Sequence, residues 1–132
     1  MIHAVIDTNV FVSALLSSKE DAATVRIVKK VFLGDITPVY SDNILSEYEE
    51  VLSRQKFDFP PKDQLYLLHA IETYGECVIP TPSHITLPDE KDLPFYEAAI
   101  MDEAWYLVTG NKKHFPEEPF IVSPREMLYI AK

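Results

Sequence analysis

The stretch HAVIDTNVFVSALL, residues 3–16, carries the fold. His3 to Ile6 alternates into a β-branched run and predicts a first strand. Asn9 to Leu16 is apolar until Ser17-Ser18 and predicts a short helix that follows at once. Asp7 and Thr8 stand at the junction, so the chain places a carboxylate directly after its first strand.

Working outward, the same alternation repeats. Val25, Val28 and Phe32 recur at helical spacing between Ala22 and Phe32, and Gly34 stops that helix. Thr37 to Tyr40 predicts a second strand, and Ser41 caps a helix running to about Arg54. Pro60-Pro61 opens a helix through Leu65, Leu68 and Ile71 that ends at Gly75. Glu76 to Ile79 predicts a third strand, and the prolines between Pro80 and Pro88 demand a loop. Pro94, Phe95, Ala98 and Ala99 begin a helix reaching toward Ala104. Trp105 to Val108 and Phe120 to Val122 predict the last two strands, and Ser123 with Glu126 forms a capping box for a final helix. Strands alternating with helices imply an α/β fold: a central parallel sheet of about five short strands, covered by helices on both faces in three layers. In such sheets ligands gather beyond the carboxyl ends of the strands.

Composition bounds what this fold can do. The 132 residues fit one domain spanning residues 1–132, and 47% hydrophobic content suffices for a core without staples. The single cysteine, Cys77, has no internal partner and reads as a strand residue, which suits a reducing cytosol. No signal peptide is expected from the sequence, and no apolar run approaches the roughly 20 residues of a membrane helix. The expectation is a soluble, cytoplasmic protein with no membrane association. A net charge of −9 argues against a broad basic face for nucleic acid, but not against a few local cations.

The chemistry-bearing residues are acids at the edges of elements. Asp7 after the first strand can bind a metal, act as a nucleophile or merely cap the helix. In Ser46-Glu47-Tyr48-Glu49-Glu50 the buried stripe is Ile44, Leu45, Tyr48, Val51 and Leu52. Glu50 points away from it as a solvated charge, while Glu47 and Glu49 flank it equally, so periodicity leaves both open. Asp92 precedes the helix at Pro94 and can also serve as a cap. Asp89 and Glu90 read as exposed loop charges. Asn111 ends the fourth strand after Thr109-Gly110 and is also an ordinary turn residue. Such a set of hard oxygen donors, without histidine or cysteine at zinc-ligand spacing, selects Mg²⁺ or Mn²⁺. Three glycines leave no phosphate-binding loop, and no serine occupies a nucleophile elbow.

The chain resembles the PIN domain over nearly its whole length. The resemblance rests on Val5-Ile6-Asp7-Thr8-Asn9-Val10, on Ser46-Glu47, on Asp89-Glu90-Lys91-Asp92-Leu93-Pro94-Phe95 with Glu97-Ala98-Ala99, and on Tyr106-Leu107-Val108-Thr109-Gly110-Asn111-Lys112-Lys113-His114-Phe115. Their order is most similar to the PIN proteins described as toxins of toxin–antitoxin pairs. It implies that Asp7, Glu47 and Asp92 are the acidic metal ligands, which picks Glu47 over Glu49. Thr8, Asn9 and Thr109 are then supporting residues that hydrogen-bond the acids or a nearby water. The family commonly carries a fourth acid where this chain has Asn111. A neutral amide there weakens the expectation of a second cation.

What the resemblance implies is an endoribonuclease using one or two Mg²⁺ or Mn²⁺ ions to hydrolyse RNA phosphodiester bonds. Its partners would be the RNA, a small basic antitoxin and a second copy in a homodimer. Arg26, Lys29 and Lys30 on the second helix, and Lys112, Lys113 and His114 beside the site, are the candidate RNA contacts. The alternative is a catalytically weakened PIN-like module that binds RNA or a protein without cleavage. A haloacid-dehalogenase-type phosphatase needs a second aspartate where Asn9 stands, and a receiver domain needs acids that the sequence lacks.

Overall fold

A computed structural model describes residues 1–132. Five strands form one parallel sheet in the order β3-β2-β1-β4-β5, with β1 at Ile2–Ile6, β2 at Ile36–Tyr40, β3 at Glu76–Cys77, β4 at Tyr106–Val108 and β5 at Ile121–Val122. The helices are α1 (Thr8–Leu16), α2 (Ala23–Leu33), α3 (Asp42–Leu52), α4 (Pro61–Tyr74), α5 (Leu93–Ala99) and α6 (Pro124–Ile130). They cover the sheet in a three-layer α/β/α arrangement, with α5 lying across β1, β2 and β4 and α2 packed on β2, α1 and α6. No helix is long and apolar enough to cross a membrane.

Local chemistry explains where elements stop. Gly34 ends α2 in the left-handed conformation at φ 83°, which a residue with a Cβ adopts at a cost. The capping box at Ser123 forms as its sequence requires, with Ser123 accepting from Glu126 N–H and the Glu126 carboxylate accepting from Ser123 N–H. Two helices end sooner than their patterns suggest. α3 stops at Leu52, where Ser53 Oγ donates to the Glu50 carbonyl at 2.9 Å and competes with the helical ladder. α5 stops at Ala99 rather than near Ala104, because Asp102 accepts from Ala104 N–H at 2.8 Å and forms a turn of its own. In α4 the buried positions are Leu67, Ala70 and Ile71, whereas Leu65 is 68% exposed, so the stripe lies further round the helix than a Leu65-based repeat implies.

β2 contains Pro38, an unusual residue for an inner strand. In a parallel ladder Pro38 shares its side with Tyr40, whose carbonyl accepts from Val78 N–H at 2.8 Å. β3 begins only opposite Val39, so at Pro38 no neighbouring carbonyl waits for the missing N–H. Gly75, which ends α4, fills that space instead. A Cβ there would lie 2.3 Å from the Ile71 carbonyl oxygen and 2.5 Å from that of Pro38. Gly75→Ala is expected to cost about 2 kcal/mol through forced backbone movement, read as a lower urea midpoint. An unchanged midpoint would mean the two backbones separate freely.

Three aromatic side chains tie the far ends of the core together. Phe11 of α1 meets Tyr48 of α3 edge-on at 5.0 Å, and Tyr48 meets Phe95 of α5 at 6.1 Å. All three rings are at most 1% exposed. The buried Tyr48 hydroxyl donates to the Ile6 carbonyl at the end of β1. Each ring lies within four residues of one candidate acid, so packing in the core fixes how three separate helices present Asp7, Glu47 and Asp92.

Candidate metal centre

The strand order reverses at β1: β2 and β3 lie on one side, β4 and β5 on the other. The crevice opens at the carboxyl ends of β1 and β4, where loops leave in opposite directions. Asp7 and Thr109 occupy those ends side by side. Asp7 N–H donates to the Val108 carbonyl at 2.9 Å, and Thr109 Oγ1 donates to Asp7 Oδ2 at 2.8 Å. Asp7 stands at the N-cap position of α1 but makes no side-chain capping bond. Its carboxylate faces the cleft and Thr109 instead.

One cleft is lined by Asp7, Thr8, Asn9, Glu47, Glu50, Val51, Arg54, Lys56, Phe57, Asp89, Lys91 and Asp92. It therefore gathers the three acids that the sequence singled out, together with Thr8 and Asn9. Glu47, not Glu49, faces it, and Thr8 Oγ1 donates to Glu47 Oε2. Glu50 is exposed but sits on the rim, where both its oxygens accept from Arg54 at 2.7 and 2.8 Å. Asp89 accepts from Lys91 N–H and so starts the 3-10 turn at Glu90–Asp92. Asp92 does not cap α5; its Oδ2 lies 3.1 Å from His114 Nδ1.

The electrostatics are those of acids short of cations. Burial, the largest influence, raises the pKa of Asp7, and Thr109 only partly offsets it. Burial likewise raises Glu47, with the Asp7 and Asp92 charges adding to the effect and the Thr8 hydroxyl opposing it. Asp92 is raised by burial and by Asp7, against the pull of His114. Mutual repulsion among three such groups is relieved by protonation or by a divalent ion. The donors are hard oxygens, which fits Mg²⁺ or Mn²⁺ chemistry. As they stand, no three His, Cys, Asp or Glu side chains are drawn together closely enough to hold an ion. Glu47 is turned to Thr8 and Asp92 to His114, and those are hydrogen bonds that side-chain rotation releases.

Other expected residues lie elsewhere. The Asn111 amide is 3.2 Å from His114 Nε2, and its backbone N–H donates to Thr109 Oγ1 at 3.0 Å. Asn111 therefore borders a neighbouring depression with Asn9 and Gly110 rather than the carboxylate cleft. Arg26, Lys29, Lys30, Lys112 and Lys113 are not among the cleft-lining residues. Lys29 borders an apolar groove of Leu15, Val28, Phe32 and Tyr66, Lys30 pairs with Asp35 at 3.8 Å, and Lys112 pairs with Glu126 at 3.0 Å. Sequence reasoning missed Arg54, Lys56, Phe57 and Lys91 as cleft residues, and it missed the His114–Asp92 contact. Only the run Arg54-Gln55-Lys56-Phe57, cationic and aromatic at the end of an acid-bearing helix, offered a signal for the first group.

The geometry separates two glutamates that periodicity could not. Glu47→Gln is expected to weaken Mn²⁺ binding by about tenfold or more, through loss of a charged oxygen donor. Glu49→Gln is expected to leave it unchanged, and calorimetric titration of both variants reads the difference. Equal behaviour of the two variants would remove Glu47 from the site.

A family model described as the PIN domain matches residues 3–113, most of the chain and all of the elements just described up to Lys113. No curated protein and no solved structure matches.

Proposed function

Since the chain belongs to the PIN-domain family, whose fold is nuclease-like and whose members typically use divalent metal ions, we propose that it is a Mg²⁺- or Mn²⁺-dependent endoribonuclease. The observation that carries this reading is the convergence of Asp7, Glu47 and Asp92, from three separate elements, on one cleft at the strand-order reversal.

Asp7, Glu47 and Asp92, all lining the one cleft, would hold one or two cations. When bound, the cation supplies Lewis-acid activation of water and neutralises charge on the scissile phosphate. The chain's own groups do the positioning. Thr109 holds the Asp7 carboxylate, Thr8 orients Glu47, and His114 restrains Asp92. Asn9, at the first turn of α1, lines the cleft where it can hydrogen-bond a phosphate oxygen or a water.

The finer role in this reading is the toxin of a toxin–antitoxin pair. Its support is the order of the sequence motifs and a net charge of −9, which suits a small basic antitoxin. The exposed Leu33, Leu65 and Tyr66 beside the apolar groove offer a surface for that partner or for a homodimer. A second reading, a weakened module that binds RNA without cutting it, draws on Asn111, whose amide is engaged by His114.

Incubation with a labelled single-stranded RNA tests the choice. Cleavage that requires Mn²⁺ or Mg²⁺ and stops with chelator is the expected result. Binding without cleavage at saturating Mn²⁺ would favour the weakened module, and cleavage that persists in chelator would overturn the metal mechanism.

A further inference from the structure

The loop between α3 and α4 has no part in holding the acids, yet it forms one side of their cleft. Arg54, Lys56 and Phe57 all line it, and Lys91 lines it from the 3-10 turn that carries Asp92. Arg54 is already committed to Glu50. Lys56 and Lys91 are exposed and enter none of the ion pairs in the structure. Lys91 also acts at a distance on the Glu47 and Glu50 carboxylates, while the Lys56 ammonium lies over the Phe57 ring. A polyanion drawn between the two lysines is the chemistry they fit.

Phe57 makes that polyanion a nucleic acid. Its ring is half-buried, stacked on the buried Phe59 at 5.3 Å and 9°. The loop holding it is braced: Phe57 N–H donates to the Arg54 carbonyl, Asp58 takes a left-handed φ of 51°, and Gln64 Nε2 donates to the Phe59 carbonyl at 2.8 Å. A braced aromatic ring on a cleft wall is a stacking platform for a base. Lys56 Nζ lies 5.1 Å from the ring centroid. An exposed cation–π contact is weaker than base stacking, so a base displaces the ammonium and leaves it beside the adjoining phosphate.

We propose that the α3–α4 loop is a nucleotide subsite for a single-stranded nucleic acid, with a base stacked on Phe57 and the flanking phosphates contacting Lys56 and Lys91. The inference rests on the nuclease reading and specifies where the strand runs. It replaces the lysines of α2 and the Lys112-Lys113 pair as the principal strand contacts. Because every base has a π-face, the subsite orders the strand without demanding one sequence.

Steady-state cleavage of a single-stranded RNA of mixed sequence in Mn²⁺, with fluorescence anisotropy on the same RNA in chelator, tests the proposal. Phe57→Leu and Lys56→Gln are each expected to raise KM and Kd by about fivefold to tenfold, with kcat within about twofold of wild type. Lys56→Gln also lowers the slope of log Kd against log salt by about 0.7, whereas Phe57→Leu leaves that slope unchanged. Phe57→Tyr restores wild-type affinity, which separates stacking from loop packing. Lys56 is exposed, so its variant folds whatever happens at Phe57. Wild-type KM and Kd in both variants, with cleavage still Mn²⁺-dependent, would overturn the subsite and leave the nuclease reading standing. A wild-type protein that neither binds nor cleaves the RNA would overturn both.

Discussion

Asp7→Asn is expected to lower metal-dependent RNA cleavage by at least about 100-fold, because losing a charged ligand should cost more than losing a group that merely orients one. The same substitution should stabilise the cation-free protein. Asp7 is 5% exposed and burial raises its pKa, so its charged form is strained in the folded state. Asparagine keeps an oxygen for the Thr109 hydroxyl and discards the charge. For an acid whose folded pKa is raised, the folded state binds the proton more tightly than the unfolded one. The favourable term is therefore fully present below the unfolded pKa and is lost as pH rises through the folded pKa. Asp7, Glu47 and Asp92 all shift in that direction. In chelator, the stability gap between Asp7→Asn and wild type should widen as pH rises from the ordinary carboxylate range toward neutrality. Urea unfolding at several pH values measures it. A gap independent of pH, or a destabilised variant, would mean that the Asp7 carboxylate stabilises the fold through Thr109.

The second large effect lies beneath the site. Tyr48→Ala should cost about 4 kcal/mol, since it deletes the ring that joins Phe11 to Phe95 and leaves the Ile6 carbonyl without its hydroxyl donor. Tyr48→Phe retains the ring and should cost about 1 kcal/mol. The comparison divides packing from hydrogen bonding. If the ring positions the acids, Tyr48→Ala protein that remains folded should also bind Mn²⁺ more weakly, whereas Tyr48→Phe should bind it nearly as wild type. Comparable losses in stability for both variants would assign the effect to the hydroxyl rather than to the aromatic bridge.

These two residues show what the sequence could reveal. Asp7 was legible because a β-branched strand ending in an acid and running straight into an apolar helix is a local pattern. Gly34, Ser41 and Ser123 were legible for the same reason: a cap or stop signal acts within one turn of its residue. Helical periodicity also placed Tyr48 inside. It could not say that the Tyr48 hydroxyl reaches Ile6, 42 residues away, or choose Glu47 over Glu49, because both depend on which element faces α3. Thr8 makes that choice physically, through a hydrogen bond spanning 39 positions. The chain from Asp92 through His114 to Asn111 was equally hidden. His114 has no metal-ligand spacing to any other histidine, and its role comes from the loop after β4 meeting the turn before α5. Arg54 and Lys56 on the cleft wall were hidden for a related reason. Counting lysines near the motifs favoured α2 and Lys112-Lys113, whereas the α3–α4 loop folds back toward Glu47 through turns at Arg54 and Gln55. Helix ends shifted where Ser53 and Asp102 bond to nearby backbone, a competition that periodicity does not register.

At the centre of the proposed function is one divalent-cation site formed by Asp7, Glu47 and Asp92 together. Titration of Mn²⁺ into the protein at neutral pH, with free Mn²⁺ followed by its paramagnetic resonance signal, tests it without requiring a substrate. Saturable binding of one or two Mn²⁺ in the wild type, displaced by Mg²⁺ and lost in Asp7→Asn, is the predicted result. Absence of saturable binding in the wild type, or binding that Asp7→Asn leaves intact, would contradict it.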